Sequence, residues 1–225
     1  MENNISRREG GLIMAKGSGS TRSQSLPHGS MIARLQNSKN FLIAAGMSRY
    51  EKEKNDAAMN YSDMAELTET DRTYLVAYLT HAYGPVNEGL RSDTLTDDVK
   101  AMVRGIDRAI AKLESFQGTV YRGMEFDSGY KLSDTKRQKE LLQFYKDNIG
   151  KDVTEKGYVS TGKKKGKIDK KFTSTMVPSI RFTIESKTGR DVSHYNDEEE
   201  EIVFRRKTKF RVLSVKGNNV HLQEI

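Results

Sequence analysis

The spacing of apolar residues changes character once along this chain, near Gly118, and that change restricts the fold more than any other feature. Between Met59 and Leu90, apolar positions recur every three or four residues, at Leu67, Tyr74, Leu75, Tyr78, Leu79, Ala82, Val86 and Leu90. This is the period of a helix with one buried face. Gly84-Pro85 interrupts the run, and because a proline lacks the amide donor and disfavours helix at the residue before it, two shorter helices are expected. A second amphipathic stretch follows, with Thr96 as its cap and Val99, Met102, Val103, Ile106, Ile110 and Leu113 as its stripe. Beyond Gly118 the pattern is that of strands, expected at 120–123, 152–160, 180–185, 201–204, 209–216 and 219–225. The last two are joined by a hairpin at Gly217, and one helix runs from near 134 to 149. The lysine-dense stretch 163–171 reads as a solvated loop or a short helix. Helices first and strands after them is the order of an α+β domain.

Ahead of this pattern lies a basic stretch rich in Gly, Ser, Arg and Asn, containing GSGS at 17–20 and showing neither helical nor strand period. The expected organisation is a flexible basic extension over 1–58 and one folded domain over 59–225. A short apolar segment at 41–46 inside the extension is a candidate for docking on the domain. No apolar run approaches the ~20 residues needed to span a bilayer, so no membrane association is expected. The opening MENNISRREGG develops no apolar core of a secretory signal, which predicts a cytosolic protein. The chain has no cysteine, which excludes disulfides, a thiol nucleophile and thiolate metal sites. Its four histidines, His28, His81, His194 and His221, show no metal-ligand spacing, so no metal is expected. A net charge of +7 fits an acidic partner, either a dinucleotide or a nucleic acid bound through the basic extension.

Three places depart from what packing alone would choose. Arg122, in VYRGM, follows two strand formers, and its guanidinium offers a rigid fork that can pair two phosphate oxygens at once. Gly123 beside it would let backbone approach a ligand. GYVSTG, at 157–162, closes a strand with two hydroxyls; alternation puts Ser160 and Tyr158 on one face and Thr161 on the other. Ser160 has no local base to activate it, so it reads as a group that orients a carboxylate. DEEEEIVF, at 197–204, runs an acidic stretch into an apolar strand. If strand geometry extends back from Ile202, Glu199 and Glu201 share a face, roughly 6.6 Å apart. Paired carboxylates of this kind raise one another's pKa and can also stabilise a sugar cation. Taken singly, each place has an ordinary reading: a surface ion pair, a strand terminus, a solvated acidic loop.

In chain order, Arg122, Ser160 and Glu199-x-Glu201 resemble the signature of the Arg-Ser-Glu class of mono-ADP-ribosyltransferases, the class of clostridial actin-modifying toxins and vertebrate arginine-specific ecto-enzymes. YGPVNEGLR resembles the helix of that family carrying a tyrosine and an asparagine, here Tyr83 and Asn87. IGKDVTEKGYVSTG, SIRFTIESKTGRDVS and EEEEIVFRRKTKFRVLSV are similar to its later strands, so the likeness covers about 59–225. The resemblance implies two β-sheets packed around an NAD cleft, with helices at the amino-terminal side. It implies that Arg122 holds an NAD phosphate and that the backbone at Gly123 meets the nicotinamide amide. Ser160 would orient Glu201, Glu201 would hold the ribose, and Glu199 would deprotonate the incoming guanidinium of a protein arginine. Among the four glutamates, the one directly before the aliphatic pair is Glu201, not Glu200. Phe172 resembles the aromatic that closes over nicotinamide. Where the family commonly has Ser-Thr-Ser, this chain has Ser160-Thr161-Gly162. Lack of an export signal or translocation module fits a phage effector or a toxin module. Two other readings stay open: NAD hydrolysis at the same site, and nucleic-acid binding through the basic residues.

Overall fold

Thr68 starts the helical half of the molecule with a reciprocal cap. Its hydroxyl accepts from the Asp71 amide and the Asp71 carboxylate accepts from the Thr68 amide, both at 3.2 Å. The computed structural model describes residues 11–12, 67–127, 131–173, 176–195 and 200–225. The expected flexible extension, its apolar segment at 41–46, and Glu199 therefore fall outside the described residues, apart from Gly11 and Leu12. After the cap come α1 (Glu69–Ala77), a single π turn (Tyr78–Ala82), α2 (Tyr83–Ser92) and α3 (Asp97–Ala111). Thr96 caps α3 as expected, accepting from the Val99 amide, and Asp97 and Asp98 lie in its first turn, where the helix dipole favours them.

The expected helix break falls elsewhere. Gly84 and Pro85 sit in the first turn of α2, where a missing amide is tolerated, and the irregularity is displaced upstream into the π turn. Pro85 cannot bond the carbonyl of residue 81, so the ladder ahead of it widens.

The remaining elements are β1 (Gly11–Leu12), β2 (Ser115–Glu125), α4 (Lys131–Asp147), β3 (Asp152–Glu155), β4 (Val159–Gly162), α5 (Lys165–Phe172), β5 (Ser179–Asp191), a 3₁₀ turn (Ser193–Tyr195), β6 (Glu201–Phe204), β7 (Lys209–Lys216) and β8 (Asn219–Glu224). The strands are joined in the order β1-β3-β7-β8-β5-β2-β4-β6, with β5 also pairing β6. β6 and β7 stand five places apart in that order, about 24 Å in a flat sheet. Yet only residues 205–208 connect them, a reach of at most about 18 Å, so the ladder must curl. The Phe204 and Phe210 rings meet edge-on at 5.2 Å, which closes that curl. The expected pair of packed sheets is thus two arms of one connected network. Between them lies an apolar interior that includes Val120, Val153, Phe182, Ile202, Phe204, Phe210 and Leu222.

The helices α1 to α3 cover the outside of the β4–β6 arm. Leu75, Tyr78, Ile106 and Ile110 pack there against Tyr158, Val192 and Val203. Two strands are longer than the sequence pattern indicated: β2 and β5 continue well past 120–123 and 180–185. The expected strand 152–160 is instead two strands in opposite arms, because β3 pairs β7 whereas β4 pairs β2 and β6. The crossing is pinned at Gly157, where an added Cβ would lie 2.7 Å from the Asn87 side-chain oxygen. Among the described residues, no helix is long and apolar enough to cross a membrane.

Candidate active site

Arg122, Ser160 and Glu201 stand on three adjacent strands, β2, β4 and β6. Gly162 is the hinge of the register: it lies opposite Tyr121 on one side and opposite Glu201 on the other. All three side chains are buried, at 5%, 8% and 0% exposure. Arg122 reaches across β4, and its Nη1 donates to the Ser160 carbonyl at 2.7 Å. Thr161 turns the other way and donates from Oγ1 to the Ile202 carbonyl, tying β4 to β6.

The group that gathers this trio is one the sequence pattern had assigned only to packing. The Tyr78 hydroxyl contacts the Ser160 side chain and lies within electrostatic reach of both Glu201 and Arg122. It also accepts from Asn87 Nδ2 at 3.2 Å, while Asn87 Oδ1 accepts from the Tyr158 amide at 2.8 Å. Burial, with the Glu201 charge adding to it, pushes the Tyr78 hydroxyl up to about 12, so it is a neutral donor or acceptor at neutral pH. Nine residues of regular α-helix turn through about two and a half revolutions and would put Tyr78 and Asn87 on opposite sides. The π turn between them is what lets them bond. Tyr83, by contrast, packs at the edge of the helix core and is partly buried.

Beneath Arg122 lies a second charged layer. Arg91 Nε donates to Glu155 Oε1 at 3.0 Å, and the same oxygen accepts from the Gly157 amide at 2.8 Å. Glu155 is fully buried and Arg91 nearly so. Burial pulls the Arg122 guanidinium down to about 10; the Arg91 charge pulls the same way and the Glu155 charge opposes it. Tyr145, from α4, is buried against the same charges. Glu155 therefore acts as counter-charge to two buried guanidiniums. Arg91 and Glu155 stand in the stretches YGPVNEGLR and IGKDVTEKGYVSTG, but nothing there singles out either as a site residue.

A small, half-open recess lies beside this layer, lined by Tyr121, Arg122, Gly123, Ser160, Thr161, Ile168 and Phe172. Gly123 is part of this lining, and α5 packs closely against it. An added Cβ would lie 2.5 Å from the Phe172 Cβ and 2.7 Å from the Phe172 carbonyl oxygen, so the end of α5 rests directly on it. The stretch 163–171 is thus mostly helix, and Ile168 and Phe172 make it a wall of the recess. Of the residues singled out from sequence, Arg122, Gly123, Ser160 and Phe172 share this recess, Glu201 stands at the neighbouring register position, and Asn87 supports them from behind.

Strand alternation stops at Glu201. β6 begins at Glu201, and Glu200 is in a left-handed conformation, with φ 47°, so strand geometry does not run back through Glu200; Glu199 lies outside the described residues. The reason is local: the Glu200 carbonyl turns to accept from the Lys163 amide at 3.2 Å.

Comparison with known proteins places this geometry. The sequence model of the ADP-ribosyltransferase exoenzyme family matches residues 46–224, most of the chain. The chain belongs to the ADP-ribosyltransferase exoenzyme family. Its shape is similar to that of Vis, an ADP-ribosyltransferase toxin of Vibrio splendidus solved with agmatine. The TM-score is 0.56 at 19% identity, covering 89% of this chain and 88% of that one. It is also similar to Plx2a, an ADP-ribosyltransferase toxin of Paenibacillus larvae, with a TM-score of 0.53 at 22% identity, over 78% of this chain and 96% of that one. At these identities the likeness shows the fold. A Mycobacterium avium protein, Mav, named for NAD(+)–arginine ADP-ribosyltransferase activity, is 27% identical over 173 residues, 76% of this chain. This exoenzyme-family chain spans only 19% of the length of Mav.

Proposed function

We propose that this protein breaks the nicotinamide bond of NAD and transfers the ADP-ribose to an arginine of a protein, acting as an effector on proteins of another cell. The observation that carries the reading is the convergence of Arg122, Ser160 and Glu201, from three strands, around the Tyr78 hydroxyl. Arg122 supplies a buried fork for a phosphate oxygen of NAD. The recess lined by Tyr121, Arg122, Ser160 and Phe172 is where the nicotinamide end of the dinucleotide would be received. Ser160 and Tyr78 would orient Glu201, whose negative charge would then be preorganised for the positive charge that develops on the ribose as nicotinamide leaves. The basic rim along α5 favours approach of an anionic dinucleotide.

Arginine as acceptor is supported by Glu199, two residues before Glu201, which is a base for the incoming guanidinium. It is also supported by the name of Mav and by the agmatine bound to Vis, since agmatine carries a guanidinium. The test uses the full chain, labelled NAD and a cell lysate, with mass spectrometry of the modified side chains. Glu201→Ala is expected to abolish both nicotinamide release and labelling. Glu199→Gln is expected to abolish labelling of arginine while sparing most NAD hydrolysis. Nicotinamide release that survives Glu201→Ala would overturn the site assignment; labels found on other side chains would overturn the acceptor.

A further inference from the structure

Glu200 is the glutamate the sequence passes over, yet its backbone and its carboxylate are both held. Its φ of 47° is one that residues with a Cβ rarely hold unless their surroundings enforce it. Here three contacts enforce it, all from the segment that leaves β4. The Lys163 amide donates to the Glu200 carbonyl at 3.2 Å. Lys164 Nζ and Lys167 Nζ both donate to Glu200 Oε1, at 2.6 and 3.1 Å. Lys163 itself pairs with Asp191 of β5, 2.5 Å away, and the Val192 amide donates to the Glu201 carbonyl at 3.0 Å. The backbone on either side of Glu201 is therefore held to β4, which carries Ser160, and to β5.

From this we infer that Glu200 is a positioning residue: its left-handed turn, clamped by Lys164 and Lys167, sets where Glu201 enters the site. Glu200 directly precedes β6, so the departure angle of that strand, and with it the Glu201 carboxylate, follows the Glu200 backbone. A run of four glutamates repels itself, and without a counter-charge the turn would splay. The two lysines offset that repulsion at Glu200, which takes the left-handed conformation. They also couple α5, the wall of the recess, to the turn before the catalytic strand. The inference rests on the reading of Glu201 as the catalytic carboxylate.

The experiment measures kcat and KM for NAD in transfer to agmatine, with the full chain. Glu200→Lys is expected to lower kcat about tenfold to a hundredfold, the scale of a misplacement of roughly 1 Å, while leaving KM for NAD nearly unchanged. Adding Lys164→Glu and Lys167→Glu to that variant reverses the clamp and is expected to restore most of the lost kcat. Both lysine pairs are solvent-facing, so salt should loosen them: wild-type kcat should fall between about 0.05 M and about 0.5 M NaCl, as the Debye length shrinks from roughly 14 Å to roughly 4 Å. Glu200→Gln, which keeps the shape and lacks the charge, should start low and show no such fall. An undiminished kcat in Glu200→Lys, or a loss confined to KM, overturns the positioning role. If Glu200→Lys melts early, the Glu200→Gln salt series decides alone. Glu201→Gln is run in parallel: nicotinamide release that survives it sinks the catalytic reading itself, whatever the Glu200 variants do.

Discussion

Replacing Glu155 by Gln tests the charged layer under the site, because the change removes one charge and almost no volume. Glu155 and Arg91 are 3.0 Å apart, and Glu155 is fully buried. With an effective dielectric of about 20, two unit charges at that distance attract by about 5–6 kcal/mol, most of which offsets the cost of taking them out of water. The variant leaves two guanidiniums, Arg91 and Arg122, buried near one another with no acid between them. Breaking a buried pair on one side destabilises by about 3–5 kcal/mol. In a domain of this size each kcal/mol moves Tm by about 2–4 °C, so the expected fall is roughly 6–20 °C by circular dichroism. A second readout follows from Arg122. Its guanidinium sits at about 10, and Glu155 is a charge that holds it up. Without Glu155 the proton leaves at lower pH, so nicotinamide release by the variant should decline on the alkaline side before that of the wild type. The double variant Glu155→Gln/Arg91→Gln removes the stranded charge and should be less damaged than the sum of the single variants. A Tm loss under a couple of degrees for Glu155→Gln, or strict additivity in the double variant, would refute the counter-charge reasoning.

Gly123→Ala places a Cβ against Phe172 backbone, which cannot yield like a flexible side chain. It should cost about 1–3 kcal/mol and raise KM for NAD by displacing α5, whereas Gly166→Ala on the same helix meets nothing within 4 Å and should melt slightly higher than wild type. Asp71 is held below the usual carboxylate range: burial pushes it up, but hydrogen bonds from Lys112, Arg108 and Thr68 outweigh burial. Because its folded pKa is the depressed one, its contribution to stability is complete above about pH 4 and is lost as the pH falls below that value. Denaturant melts of wild type and Asp71→Asn should therefore differ by about 1–3 kcal/mol at pH 7 and converge in acid.

Much of the domain can be read from local sequence. The stripe of α3 and its Thr96 cap follow from residues three and four apart, and the 217 hairpin from one glycine between alternating runs. Arg122, Ser160 and Glu201 were legible because each breaks the local pattern: an arginine ahead of a glycine in a strand, two hydroxyls closing a strand, an acid entering an apolar one. Tyr78 was not, since its apolar ring satisfies the helix stripe and only its hydroxyl serves the site. The Arg91–Glu155 pair joins residues 64 apart; each lies in a stretch that resembles the family, but nothing local says that the two meet. The packing of Phe172 on Gly123 was not legible either, because it joins β2 to a helix some fifty residues on.

The sequence by itself determined the order of helices and strands, the class of fold and the three chemical groups that meet, because these depend on periodicity and residue type. Tertiary structure alone decided where the helix relaxes into a π turn, how the ladder curls so that β6 meets β7, and how Glu200 bends. Each of those depends on a contact between segments distant in the chain or on a bond that a neighbour withholds, and neither leaves a period in the sequence.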